Sequence, residues 1–73
     1  MKKGTIDRLV RERGFGFIRG ERGENIFFHR NALASGEFDR LEPGDQVEFE
    51  ETMGDKGPKA TSVRLVGRAP VTL

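Results

Sequence analysis

The residues with chemistry to offer are six phenylalanines, one histidine, and the arginines and lysines around them. Two short runs concentrate the rings: Arg13-Gly14-Phe15-Gly16-Phe17-Ile18 and Ile26-Phe27-Phe28-His29. Read as extended strands, Phe15 and Phe17 point to one side while Gly16 and Ile18 point to the other. By the same rule Ile26 and Phe28 share a core-like face, and Phe27 and His29 share the opposite one. A cluster of exposed rings is unusual on a small protein. It suits the stacking of nucleic-acid bases, worth about 1–3 kcal/mol per base whatever the sequence. Arg8, Arg13, Arg30, Lys56 and Lys59 surround the runs as candidate phosphate contacts. A one-residue slip would invert both faces, burying His29 and exposing Ile18, Ile26 and Phe28. Alternation alone leaves that register open.

Other chemistries fit poorly. The Gly14-Phe-Gly16 run lacks the third glycine of a dinucleotide fingerprint, no helix follows it, and no Gly-Lys-Ser/Thr phosphate loop is present. With one histidine and no prominent serine or cysteine nucleophile, no catalytic triad suggests itself, and the expectation is that the chain is not an enzyme. Asp39, Glu42 and Asp45 could hold a cation but read as a solvated acidic loop. A lone histidine without cysteines argues against structural zinc, and no cofactor or small-molecule substrate is expected.

Seventy-three residues allow one domain with a thin core. The chain has no cysteine, so disulfides are excluded, and a reducing compartment fits. No apolar run approaches the roughly 20 residues of a membrane span, and the start, Met1-Lys2-Lys3-Gly4-Thr5, lacks a signal peptide's apolar region. A cytoplasmic protein, monomeric rather than dimeric, is the expectation. The net charge of +1 hides an uneven distribution. Residues 1–30 hold eight Lys/Arg against four Asp/Glu, residues 31–54 one against seven, and residues 55–73 four against one. If the two basic ends meet, one face of the fold is basic and another acidic.

The elements that must position the rings are strands. Period-two alternation marks five segments: Gly4 to about Arg11, Phe15–Arg19, Asn25–His29, Gln46–Thr52 and Pro58–Val66. Ile6, Val47, Phe49, Ala60, Val63 and Leu65 are the expected core residues beside those of the ring-bearing strands. Glycine-rich turns separate the segments, and a single helical turn is expected at Arg30–Ala34. Three strands, a long connection over Arg30–Asp45 and two further strands predict an all-β fold. Its form is a small five-stranded antiparallel Greek-key barrel of the OB type. Residues 1–66 form this domain, and 67–73 a short tail without pattern.

In these motifs the sequence resembles the bacterial cold shock proteins. Arg13–Ile18 looks like that family's first ribonucleoprotein motif and Ile26–His29 like its second. The similarity continues through Gly4-Thr5-Ile6, Ala32-Leu33, Phe38, Leu41-Glu-Pro-Gly44, Val47-Glu-Phe-Glu50, Gly57-Pro-Lys-Ala60 and Val63. The resemblance implies a cold shock domain that binds single-stranded RNA and DNA with low sequence specificity. An RNA-chaperone or transcription-antitermination role is implied as well. By position, Phe15, Phe17, Phe27, His29 and Phe38 would stack on bases. Arg13, Lys56 and Lys59 would lie near the backbone, and Asn25 and Pro58 would line the groove. The family's usual tryptophan–aromatic pair in the first strand is replaced by Arg8-Leu9, a basic residue before it by Asp7, and an aromatic after the histidine by Arg30. A second reading, motivated by this altered strand, has the barrel contacting a protein through the acidic 37–51 segment.

Overall fold

The computed structural model describes residues 1–55 and 57–67. Lys56 and most of the 67–73 tail lie outside the described residues. Five strands form a closed barrel: β1 (Lys2–Val10), β2 (Phe15–Gly20), β3 (Asn25–His29), β4 (Gln46–Gly54) and β5 (Gly57–Gly67). The order around the barrel is β1-β2-β3-β5-β4, and β1 returns to β4 to close it. Four of the five junctions are antiparallel. The exception to the expected antiparallel barrel is β3 against β5, which run parallel through Phe27↔Lys59 and Phe28↔Ala60.

Ile6, Ile18, Ile26, Phe28, Val47, Phe49, Ala60 and Val63 are buried together, with Leu9 and Leu65 packed against them. This settles the strand register: Ile18 and Phe28 point inward, and the inverted reading is wrong. Leu33, Phe38 and Leu41, from the long connection, also join the core.

Two bulges keep the core continuous where strict alternation would fail. On β1 the pairing moves from Ile6↔Ile18 to Arg8↔Phe17, leaving Asp7 as the extra residue. Ile6 and Leu9, three apart, therefore both face inward. On β5 the pairing moves from Ala60↔Glu51 to Ser62↔Glu50, so Thr61 is extra and Ala60 and Val63 share the interior.

The long connection has more structure than one helical turn. Short 3-10 turns occupy Arg30–Ala32 and Phe38–Arg40. The Arg11 guanidinium donates to the carbonyl oxygens of Asp39, at 2.9 Å, and Leu41, fastening the β1–β2 turn to the second of these. Asp45 corrects the expectation of a solvated loop. It is only 3% exposed, and its carboxylate accepts the Glu42 N–H at 3.0 Å, closing the Glu42–Asp45 turn. Backbone bonds from Ile6 N–H to Asp45 O and from Gly44 N–H to Ile6 O, both 2.8 Å, tie that turn to β1. Among the described residues no helix is long and apolar enough to cross a membrane.

Candidate nucleic-acid interface

The outward faces of β1, β2, β3 and β5 line up in rows. The registers place Arg8 opposite Phe17, Phe17 opposite Phe27, and Phe27 opposite Lys59. A second row runs Val10, Phe15, His29. Paired residues on neighbouring strands project to the same side of a sheet, so the first row is two rings bracketed by two cations.

The three rings touch one another. Centroids lie 5.9 Å apart for Phe15 and Phe17, 5.4 Å for Phe15 and Phe27, and 5.9 Å for Phe17 and Phe27. The Phe15 and Phe17 planes are nearly perpendicular, at 89°, which suits the ring quadrupoles. Phe27 is 37% exposed, while Phe15 and Phe17 are half-buried. The cluster is thus held by its own edge contacts and still presents ring surface to water.

Glycines on the inner side make room for this. A Cβ on Gly16 would sit 2.7 Å from the Arg8 carbonyl oxygen and 2.8 Å from Phe28 Cζ. Gly14 has φ +73°, a left-handed conformation that glycine adopts freely, and its carbonyl accepts the Arg30 N–H at 2.8 Å. A Cβ there would meet the Arg30 side chain at 3.0 Å, so the stem of Arg30 lies across the loop that leads into β2.

His29 has a second role that the ring pattern did not reveal. Its Nδ1 accepts the Asn31 N–H at 3.2 Å and caps the first 3-10 turn. The proton of the neutral ring therefore sits on Nε2, the edge turned away from that bond.

Beside Phe17 and Phe27 lies an open trough of about 500 Å³, lined also by Gly54, Asp55, Gly57, Pro58 and Lys59. Pro58 and Lys59 thus share the trough with two of the rings, while Asn25 is exposed at the far end of β3, opposite Arg19. Phe38 stands apart from the expected stacking set. It is 6% exposed and meets the buried Phe28 ring edge-on, with centroids 6.1 Å apart. It starts the second 3-10 turn and shares the core with Leu33 and Leu41. Val10, which the alternation did not single out, joins the ring-side row instead. Lys56 lies outside the described residues.

The cations divide by location. Away from the rings, Lys2 pairs with Glu51 at 3.2 Å and Arg64 with Glu48 at 2.9 Å, while Arg19, two residues beyond Phe17 on the same face of β2, pairs with Asp7 at 3.6 Å. Among the described residues, Arg8, Arg13, Arg30 and Lys59 form no ion pair. The basic first strand meets the acidic fourth, so charge is partly neutralised there, while Arg8 and Lys59 stand unpaired at the two ends of the ring row. The Arg64 hydrogen bond holds the Glu48 carboxyl below the ordinary glutamate range. At the β2–β3 turn, Glu24 is also held low, first by a hydrogen bond with its own backbone and then by that of Arg22.

Comparison with known proteins agrees with this geometry. A family model described as the 'Cold-shock' DNA-binding domain matches residues 2–66. The chain is 42% identical over 64 residues to cold shock protein 2 of Lactiplantibacillus plantarum, covering 88% of this chain and 97% of that protein. It is 43% identical over 63 residues to the cold shock protein CspA of Staphylococcus haemolyticus, covering 86% and 96% respectively.

Proposed function

This chain belongs to the cold-shock DNA-binding domain family, and on that footing we propose that it binds single-stranded RNA and DNA on the Phe15–Phe17–Phe27–His29 face. One observation carries the reading: three rings touch one another, and two of them lie in a row that ends in Arg8 and Lys59, two cations without an acidic partner among the described residues. Bases stack on the rings, and Arg13, Arg30 and Lys59 take phosphates, with Lys56 as a further candidate. Pro58 lines the trough beside Phe27, and Asn25 lies at the end of the strand. Phe38 is left out of the stacking set because its ring is buried.

Preference for unpaired strands melts weak RNA structure by mass action, without nucleotide hydrolysis. That is the basis of an RNA-chaperone or antitermination role for a cytoplasmic, monomeric protein. The acidic 37–51 segment is less suited to a protein partner, since Glu48 and Glu51 are already paired with Arg64 and Lys2.

Titration of a labelled single-stranded oligonucleotide tests the proposal. The label is needed because the chain has no tryptophan. Phe17→Ala and Phe27→Ala should each weaken binding by about 1–3 kcal/mol while the barrel stays folded by circular dichroism. Unchanged affinity in both folded variants would refute the stacking face.

A further inference from the structure

We propose that Arg8 reads guanine, giving the ring face a base preference at its β1 edge. This rests on the nucleic-acid reading above and names the base that one position selects.

The placement of Arg8 follows from the bulge. Ile6 and Leu9 face the core, and the extra residue Asp7 shifts the phase so that Arg8 opposes Phe17 on the outer side. Without the bulge, Arg8 would point inward and Leu9 outward. Arg8 is exposed, and among the described residues no acid pairs with it. The neighbouring carboxylate, Asp7, is directed to Arg19. The guanidinium is therefore free, and it stands in line with the rings rather than outside them.

Paired residues on adjacent strands have Cβ atoms about 4.5–5.5 Å apart. A base stacked on Phe17 and Phe27 accordingly has Lys59 at one end of its row and Arg8 at the other. The two ends differ in chemistry. Lysine offers a rotating point charge, suited to a phosphate. Arginine offers a planar fork of donors, which matches two acceptors side by side.

Guanine presents such a pair in O6 and N7. In a single strand that edge is open to a side chain even while the ring face is stacked. Adenine replaces the O6 acceptor with the N6 amino donor beside N7, and uracil alternates acceptor, donor, acceptor. Cytosine has adjacent acceptors in N3 and O2, but its single ring carries them less far from the stacked centre.

The test uses labelled oligouridine, alone and with one central residue replaced by guanine, 7-deazaguanine or cytosine, against the native protein and Arg8→Lys. The native protein should bind the guanine oligomer about fivefold or more tightly than oligouridine. Cytosine should give less than half that gain. So should 7-deazaguanine, which keeps the stacking surface and loses N7. Arg8→Lys retains the charge and should show no guanine gain over its own binding of oligouridine. A native guanine gain below fivefold overturns the proposal. A gain that survives in Arg8→Lys or with 7-deazaguanine, or that cytosine matches, does so too. If oligouridine binds on the ring face without a guanine gain, only the Arg8 assignment falls. If no oligomer binds, the nucleic-acid reading falls with it.

Discussion

A Cβ added at Gly16 would lie 2.7 Å from the Arg8 carbonyl oxygen and 2.8 Å from the Phe28 ring. Neither neighbour is free to move. The carbonyl belongs to the adjacent strand, and Phe28 is fully buried among core residues. Gly16 is thus what lets β1 approach β2 closely while the flanking Phe15 and Phe17 face outward. Gly16→Ala should destabilise the barrel by about 1–3 kcal/mol, the usual range for forcing volume into a packed core. Urea unfolding of the variant measures it, and a change below about 0.5 kcal/mol would show that the interior relaxes around the added methyl. Phe38 marks the limit of residue-level reading. Its aromatic type fits a stacking surface and a core equally well, and its burial comes with packing against Phe28, ten residues away in sequence, and the core of the barrel. Nothing in the local pattern around Phe38 carries that information.

At the level of elements, alternation located all five strands to within a few residues. The identities of Ile18, Ile26 and Phe28 pointed to the register that the core adopts. The bulges were legible in part. Ile6 and Leu9 are three residues apart, as are Ala60 and Val63, and two inward residues at odd spacing need one extra residue between them. That signal existed in the sequence, although Asp7 and Thr61 show nothing of it by themselves. The buried role of Asp45 was not legible, because an aspartate in a Glu-Pro-Gly-Asp turn looks the same whether its carboxylate meets water or the turn's own amide.

The pairing of β4 with β5 and the β2–β3 turn together carry an acid-sensitive contribution. Glu48 and Glu24 are both held below the ordinary glutamate value of 4.5, by Arg64 and by backbone hydrogen bonds respectively. A depressed carboxyl adds stability in full above its unfolded value, and loses it as pH falls through the lower folded value. Both groups are at the surface, so the effect is small. The native thermal midpoint should fall between about pH 7 and about pH 3, and a Glu24→Gln, Glu48→Gln variant should lose less over that interval. Equal losses in the two proteins would mean that neither interaction contributes to folding.

The whole molecule sorts its charge by strand pairing. Closing β1 onto β4 sets Lys2 and Lys3 against Phe49 and Glu48, so the basic N-terminal stretch and the acidic middle of the chain partly cancel. The expected division into a basic and an acidic face is therefore partial: ion pairs join Lys2 to Glu51, Arg19 to Asp7 and Arg64 to Glu48, while Arg8, Arg13, Arg30 and Lys59 form none among the described residues. This arrangement has a consequence for salt dependence that net charge does not. A protein with a balance of +1 has little long-range attraction for a polyanion. Its salt response comes instead from cations that displace counterions on contact. Single-stranded nucleic acid contributes about 0.7 to the log–log slope for each phosphate neutralised. If Arg13, Arg30 and Lys59 each neutralise one phosphate while Arg8 is engaged with a base, the slope should be about −2, and about −3 if Arg8 also joins the phosphate contacts. Affinity measured across a range of salt concentrations gives that slope directly. Lys59→Ala should make it shallower by about 0.7, whereas Lys2→Ala, which removes a cation already paired with Glu51, should leave it unchanged. Equal slopes for the native protein and Lys59→Ala would show that the cation opposite Phe27 does not meet the strand.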